Sequence, residues 1–199
     1  MTLYCATSNP GKLAEFQAAA PRGLRIIAAP PFDCPETGAS FEENAVEKAL
    51  RAAEDVRGPV FADDSGLVVD AIGGEPGVHS ARYAGPAATD AQNRARLLRR
   101  LRARKRPAAR FVCLLALARR GRLLLTCRGV CEGLILDAPR GSGGFGYDPL
   151  FFFPPLGRTF AELTVEEKSA HSHRGQAFRL LVEELPRLLN YTRRFHEPR

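Results

Sequence analysis

Apolar and polar positions along the chain switch repeatedly between a period of two and a period near 3.6. Each switch marks a new element. "LYCAT" reads as a short strand that feeds through "SNPG" into "KLAEFQAAA", a helical pattern. The Pro-rich stretch 30–38 predicts a loop. Ser40 and Glu43 then form a capping box before "NAVEKALRAAEDV", an amphipathic helix that Gly58-Pro59 ends. "PVFADD" and "LVVDAI" predict strands on either side of a Ser65-Gly66 turn, and "GGEPGVHSARYAGP" carries too much Gly and Pro for a regular element.

A second capping box, Thr89 with Gln92, opens a helix to about 105 with Leu97, Leu98 and Leu101 on its buried side. "RFVCLLALA" and "RLLLTCRG", parted by "RRG", read as a hairpin, and "VCEGLIL" continues the sheet. Residues 138–155 form a glycine-rich loop interrupted by aromatics. The stretch 163–191 is helical, with Thr164 and Glu167 as a third box and a break near 171–175. There are no internal repeats or linkers. Strands alternating with helices, and one hairpin among them, predict an α/β fold with a mixed sheet in a single domain over 1–199.

Composition adds four limits. With 199 residues and 45% hydrophobic content the chain can bury one sizeable core. Its N-terminus lacks a secretory pattern, and no apolar run approaches the roughly 18 residues that span a bilayer, so a cytoplasmic location is expected. Five scattered cysteines with no C-x-x-C pair suggest reduced thiols, and neither a disulfide framework nor a zinc site. The net charge is +7, yet eight basic residues and no acid lie within 94–106. That stripe reads as a solvated helix face, because no aromatic is interleaved to stack bases.

Four motifs could carry chemistry. "TSNPGK" (Thr7, Ser8, Asn9, Pro10, Gly11, Lys12) joins a strand to a helix and offers helix N-terminal amides and a lysine to an anion such as a phosphate chain. It lacks the Walker A spacing, and Leu13 stands where a magnesium-binding hydroxyl would be. The acid pair Asp63-Asp64, with Glu36 of "CPETG" as a further candidate, suits a hard divalent cation. An acid that caps the turn beside one that faces water is the plainer alternative, and it suits Asp63 better than Asp64. "GGFGYDP" supplies a backbone that a ligand can approach, Phe145 to stack on a planar ring and Asp148 to accept from a ring NH. "EEKSAHSHRGQ" brings Lys168, His173 and Arg174 to a helix start, a polar helix end unless a ligand lies there.

Taken together, "ATSNPGK", "FEENAVEKA", "ADDSGLVVDAIGGEPGVHSARYAG", "GGFGYDPLFF" and "ELTVEEKSAHSHRGQA" resemble the inosine triphosphate pyrophosphatase family in order and spacing over nearly the whole chain. The resemblance implies a long mixed sheet with a cleft between two lobes, a homodimer, and magnesium-dependent hydrolysis of ITP, dITP and XTP to monophosphate and pyrophosphate. Carried over by motif, it implies that residues 7–12 and Lys48 hold the triphosphate. Asp64 would be metal ligand and general base, Glu36 would help hold the metal, and Ser65 would touch substrate. Phe145, Gly146, Tyr147, Asp148, Lys168, His173 and Arg174 would line the base pocket. His79 and its loop receive no chemistry, and no nucleic acid or membrane partner is expected. Two rivals differ in what they leave unexplained. A pyrophosphatase for pyrimidine nucleotides fits the "SHRGQ" block poorly, and a nucleic-acid module using the 94–106 stripe accounts for neither the acid pair nor the glycine loop.

Overall fold

The computed structural model describes residues 1–194 except 103, with side chains through 189. Seven strands form one mixed sheet in the order β2-β1-β3-β4-β5-β6-β7: β1 (Thr2–Ala6), β2 (Arg25–Ala28), β3 (Val60–Val68), β4 (Ala108–Arg119), β5 (Arg122–Ile135), β6 (Phe151–Phe153) and β7 (Arg158–Thr159). β1 pairs in parallel with β2 and β3, and the remaining neighbours are antiparallel. The expected α/β class and mixed sheet are what the structure has. β4 and β5 form the expected hairpin around Arg120-Gly121, and "VCEGLIL" lies mostly on the same long β5.

Helices α1 (Pro10–Ala19), α4 (Val165–His171) and α5 (His173–Arg194) cover one face, and α2 (Phe41–Asp55) covers the other. Phe16, Phe61 and Phe178 meet with ring centroids 4.8 to 5.7 Å apart beneath α1 and α5. Alanines 45, 49, 52 and 53 let α2 press on Val60, Ala62 and Ala116 on the opposite face. Each fully buried Phe contributes about 1.5–3 kcal/mol. A further cluster around Phe111, Phe151 and Phe160 closes the far part of the sheet, below α3 (Asp90–Arg100). The capping boxes at Thr89 and Thr164 form in full. At Ser40 only half does: its hydroxyl accepts from Glu43 N, while the Glu43 carboxylate reaches Ala39 N. The break between α4 and α5 falls at Ser172.

Three expectations need correction. Ser65-Gly66 is no turn: β3 runs straight through it, paired with Cys113 and Val112 of β4. Gly66 is there for space, since a Cβ would meet Gly77 O and Ser80 Oγ at 2.5 Å. The strand expected over "LVVDAI" ends at Val68, and Asp70–Ile72 is a 3-10 turn. The irregular "GVHSARYAG" stretch holds a 3-10 helix, Gly77–Arg82. In addition, β2, β6 and β7 are strands the pattern did not declare, β6 falling inside the stretch 138–155 expected to be a loop, and α3 stops at Arg100, short of 105.

Topology places the site. β1 connects through α1 to β2 over one face, and β2 returns through α2 to β3 over the other, so the winding reverses between β1 and β3. A crevice opens outside the carboxyl ends of strands at such a switch point. β1 ends at Ala6, paired with Ala62, while β3 continues to Val68. Residues 63–66 therefore have no strand partner on the β1 side, and this unpaired edge borders the crevice.

Candidate functional site

Successive strand residues point to opposite faces, so Asp63 and Asp64 straddle the sheet. They do not share one proton or one cation, as their adjacency suggested.

Asp63, 2% exposed, lies under α1 and α5. It is ion-paired to Lys12 Nζ, with Arg174 Nε 3.6 Å from Oδ2. The Cys113 thiol donates to the same oxygen at 3.3 Å. Burial pushes its pKa up, but Lys12, Arg174 and Lys48 together outweigh that and hold it far below the usual carboxylate range.

Asp64, 5% exposed, lies under α2. Its Oδ2 accepts from Asn44 Nδ2 at 3.1 Å and its Oδ1 from Lys48 Nζ at 3.2 Å. Lys48 also donates to Glu36 Oε1 at 2.7 Å and to Asp63 O at 2.6 Å. Burial raises the Asp64 pKa, and Glu36 and Asp63 reinforce the rise against Lys48 and Lys12. For Lys48, burial works against the charge, yet Asp64, Asp63 and Glu36 raise its pKa above the usual lysine range. Glu36 is also gripped by Arg82, whose Nη1 donates to Oε2 at 3.2 Å and Nη2 to the Glu36 carbonyl at 3.0 Å.

On the α1 and α5 face a cavity of about 110 Å³ is lined by Asn9, Lys12, Ser65, Phe145, Gly146, Tyr147, Asp148, Lys168, His173 and Arg174 from the expected set, and by Gly66, Ser80, Ala81, Asp90 and Phe111 besides. Asn9 caps α1 by accepting from Lys12 N at 3.1 Å, and Thr7 Oγ1 accepts from Asn9 N at 3.2 Å, which shapes the loop. Pro10 begins the helix, where its missing N–H is harmless. A Cβ at Gly11 would meet the Phe145 ring at 2.6 Å, so glycine permits this loop and the aromatic to close on each other. Thr7, Ser8, Pro10 and Gly11 do not line the cavity, and neither do Glu36, Lys48 and Asp64, which form their own cluster on the other face. Lys48 and Lys12 flank the Asp63-Asp64 step, one contacting the Asp63 carbonyl and the other its carboxylate. That step joins the two clusters.

Among the cavity residues, Phe145 lies with its ring centroid 4.8 Å from Lys168 Nζ and 5.5 Å from Arg174 Cζ. Lys168 is ion-paired to Asp148 and, at 2.6 Å, to Glu15. Arg174 is ion-paired to Glu15 and donates to Ser65 Oγ at 2.9 Å. His173 stacks on Phe111 at 4.7 Å, and its Nδ1 has no hydrogen-bond partner among the described residues. Burial, with Arg174 and Lys168 nearby, pushes it far below the usual imidazole range, so it is neutral. The site thus has two parts: a slot closed by the Phe145 loop and holding buried, ion-paired cations, and, on the opposite face of the sheet, two carboxylates around an ammonium.

The model of the Ham1 family matches residues 3–184. The chain belongs to the Ham1 family. A dITP/XTP pyrophosphatase of Geobacillus kaustophilus is 51% identical to it over 189 residues, 92% of this chain and 93% of the relative. One of Thermus thermophilus is 49% identical over 189 residues, 92% and 91% of the two chains. Among solved structures, a HAM1 protein from Coxiella burnetii aligns with a TM-score of 0.81 and 42% identity, covering 94% of this chain and 99% of that one. A nucleoside-triphosphatase / dITP/XTP pyrophosphatase from Mycobacterium abscessus aligns with a TM-score of 0.70 and 42% identity, covering 92% and 99%.

Within this Ham1 chain the structure adds residues that the motifs did not nominate. Glu15 joins α1 to Lys168 and Arg174, and Asn44 and Arg82 hold the two carboxylates of the α2 face. Helical spacing carried a signal for Glu15, one turn beyond Lys12. Arg82 had none, because only folding brings it to a residue 46 positions away. Within the basic stripe the half-buried Arg94 donates to Gly146 O, while Arg96, 4.7 Å over the Tyr83 ring, and Arg100, paired with Glu75 at 3.2 Å, stay exposed.

Proposed function

We propose that this chain hydrolyses non-standard purine nucleoside triphosphates, dITP, XTP and ITP, to the monophosphate and pyrophosphate, acting as one domain over 1–199. The observation that carries the reading is the placement of Asp63 and Asp64 on opposite faces of a strand that outruns its neighbour at the switch-point crevice. A slot for a planar ring lies on one side and a carboxylate cluster on the other, with lysines between them.

The slot takes the base. Its volume falls below the roughly 300 Å³ of ordinary ligand pockets, so the phosphates must lie outside it, along Lys12 and toward Lys48. Phe145 stacks on the ring, while Lys168 and Arg174, held by Glu15 and Asp148, present donors. Hypoxanthine and xanthine offer a 6-oxo acceptor and adenine a 6-amino donor. A desolvated donor left facing another donor costs about 1–3 kcal/mol, which disfavours ATP.

Lys12 and Lys48 neutralise the phosphate chain, whose charge would otherwise repel a nucleophile. Asp64 takes a proton from the water that attacks the α-phosphorus, and Asn44 fixes the orientation of its carboxylate. A base suits this role when its proton affinity lies above that of a free carboxylate, and burial raises Asp64 in that direction. Glu36 and Asp64 face a single point where the Lys48 ammonium lies, and among the described residues no third His, Cys, Asp or Glu joins them in a metal-binding group. Two carboxylates, with other positions left to phosphate oxygens and water, are a donor set that fits magnesium. With the Lys48 ammonium released toward the phosphates, Mg²⁺ would be held by Glu36 and Asp64 and would supply charge neutralisation on the phosphates and the leaving pyrophosphate.

A homodimer and a cytoplasmic setting belong to the same proposal. The test is pyrophosphate release from ITP, dITP, XTP, GTP, ATP and dTTP in the presence of Mg²⁺. ITP, dITP and XTP should be cleaved well and ATP and dTTP poorly; equal rates across the panel would contradict the base slot.

A further inference from the structure

The basic helix α3 meets the base slot in a way that neither the family resemblance nor the stripe's charge suggests. Asp90 and Arg94 stand one turn apart on the same face of α3. The Asp90 Oδ2 accepts from Gly146 N at 2.7 Å, and the Arg94 Nη1 donates to Gly146 O at 2.6 Å. Both backbone polar groups of one glycine are thereby held by one helix. Gly146 has a φ of 60°, a conformation glycine adopts without strain, and it separates Phe145 from Tyr147 in the loop that closes the slot.

The helix itself is anchored. Asn93, 1% exposed and between the two, donates to Ala81 O at 3.0 Å and accepts from Ala84 N at 2.8 Å. Tyr147 OH donates to Ser80 O at 3.0 Å, tying the same loop to the same 3-10 segment. On its other side the loop is pinned where the Phe145 N–H donates to Asp148 Oδ2 at 2.9 Å. Turning the Gly146 peptide would swing the Phe145 ring away from Gly11 and from the Lys168 and Arg174 cations.

We propose that Asp90 and Arg94 are positioning residues for purine recognition: a two-pronged clamp on the Gly146 peptide that fixes the Phe145 ring over the base slot. The inference rests on the pyrophosphatase reading and assigns a specificity role to residues outside the expected set. Asp90 also lines the slot and Arg94 does not, and neither is bonded to the Asp64, Glu36 and Lys48 cluster, so an effect of Arg94→Ala on the base can come only through the Gly146 peptide.

The test compares Asp90→Ala, Arg94→Ala, Asp90→Asn and the wild type. Each alanine variant should raise KM for ITP about tenfold, the scale of a charge-assisted hydrogen bond, with a smaller change in kcat, and should narrow the ITP to ATP ratio of kcat/KM. Asp90→Asn keeps an oxygen that accepts from Gly146 N–H and should recover most of the loss. A uniform fall in kcat for ITP and ATP with unchanged KM would overturn the clamp, as would Asp90→Asn as impaired as Asp90→Ala. Amide hydrogen exchange without nucleotide separates this claim from its parent. The Gly146 amide should exchange faster in Asp90→Ala than in wild type whatever the activity, and unchanged exchange would overturn the clamp even in an active enzyme. A wild type that exchanges as expected yet leaves ITP intact would instead refute the activity.

Discussion

Adjacent carboxylates on opposite faces of β3 should fail in opposite ways. Asp63→Asn removes the charge that Lys12 and Arg174 share. Arg174 keeps Glu15 and Ser65, but Lys12 loses its ion pair. Removing one partner of a buried pair costs about 3–5 kcal/mol. Because Arg174 stays paired and the Lys12 side chain is 17% exposed, the lower end applies, about 3 kcal/mol. For a chain of this size that lowers Tm by about 6–12 °C. Asp64→Asn removes one partner of Lys48, which keeps Glu36 and the Asp63 carbonyl, and relieves repulsion from Glu36 and Asp63. Its stability should change by less than about 1 kcal/mol, while turnover falls about 10²- to 10⁴-fold, the range of a positioned general base. Urea melts and pyrophosphate release on both variants decide the matter. Asp63→Asn that melts like wild type, or Asp64→Asn that turns over near-normally, would refute the division of roles.

Other consequences are simpler to read. The Asp63 carboxyl is held below its unfolded value near 3.9, so its contribution is present in full above that pH and declines as pH falls below it. The stability gap between wild type and Asp63→Asn, measured by urea melts, should be flat from pH 5 to 8 and shrink below about pH 4. Gly66→Ala should destabilise by about 1–3 kcal/mol, since its Cβ would strike a backbone carbonyl 2.5 Å away; a urea midpoint equal to wild type would contradict this. Burial pushes the Cys127 thiol up to about 11 and Cys131 up to about 12, and it also raises Cys5 and Cys113 well above the usual thiol range. All five cysteines are free, and Cys34 is the one not buried. A thiol reagent at pH 8 should therefore modify Cys34 first and the others only on unfolding.

Much of this molecule was legible before its structure. Local signals carried α2, the β4–β5 hairpin and the Thr89 and Thr164 boxes, because caps, periodicity and turn residues act within a few positions. The acid pair stood out in the sequence but was misread as geometry. "DDSG" looks like a strand ending in a turn, whereas Gly66 serves the close approach of residues 77–80 and the strand continues. Once Asp63 and Asp64 alternate across a strand they cannot act as a pair, a conclusion that depends on β4 being their ladder partner. β2 stayed hidden because "RIIA" is too short to show a period. Arg82 and the Asp90–Arg94 clamp act across separations of 46 to 56 residues, which no local pattern reports. The 94–106 stripe read as a solvated face, and its basic side chains are exposed except for the half-buried Arg94, which reaches Gly146 O.

Hydrolysis of ITP in H₂¹⁸O probes the central claim most directly. Attack of an Asp64-activated water on the α-phosphorus places the ¹⁸O in inosine monophosphate and leaves pyrophosphate unlabelled. Label in the pyrophosphate, or release of labelled orthophosphate, would contradict it.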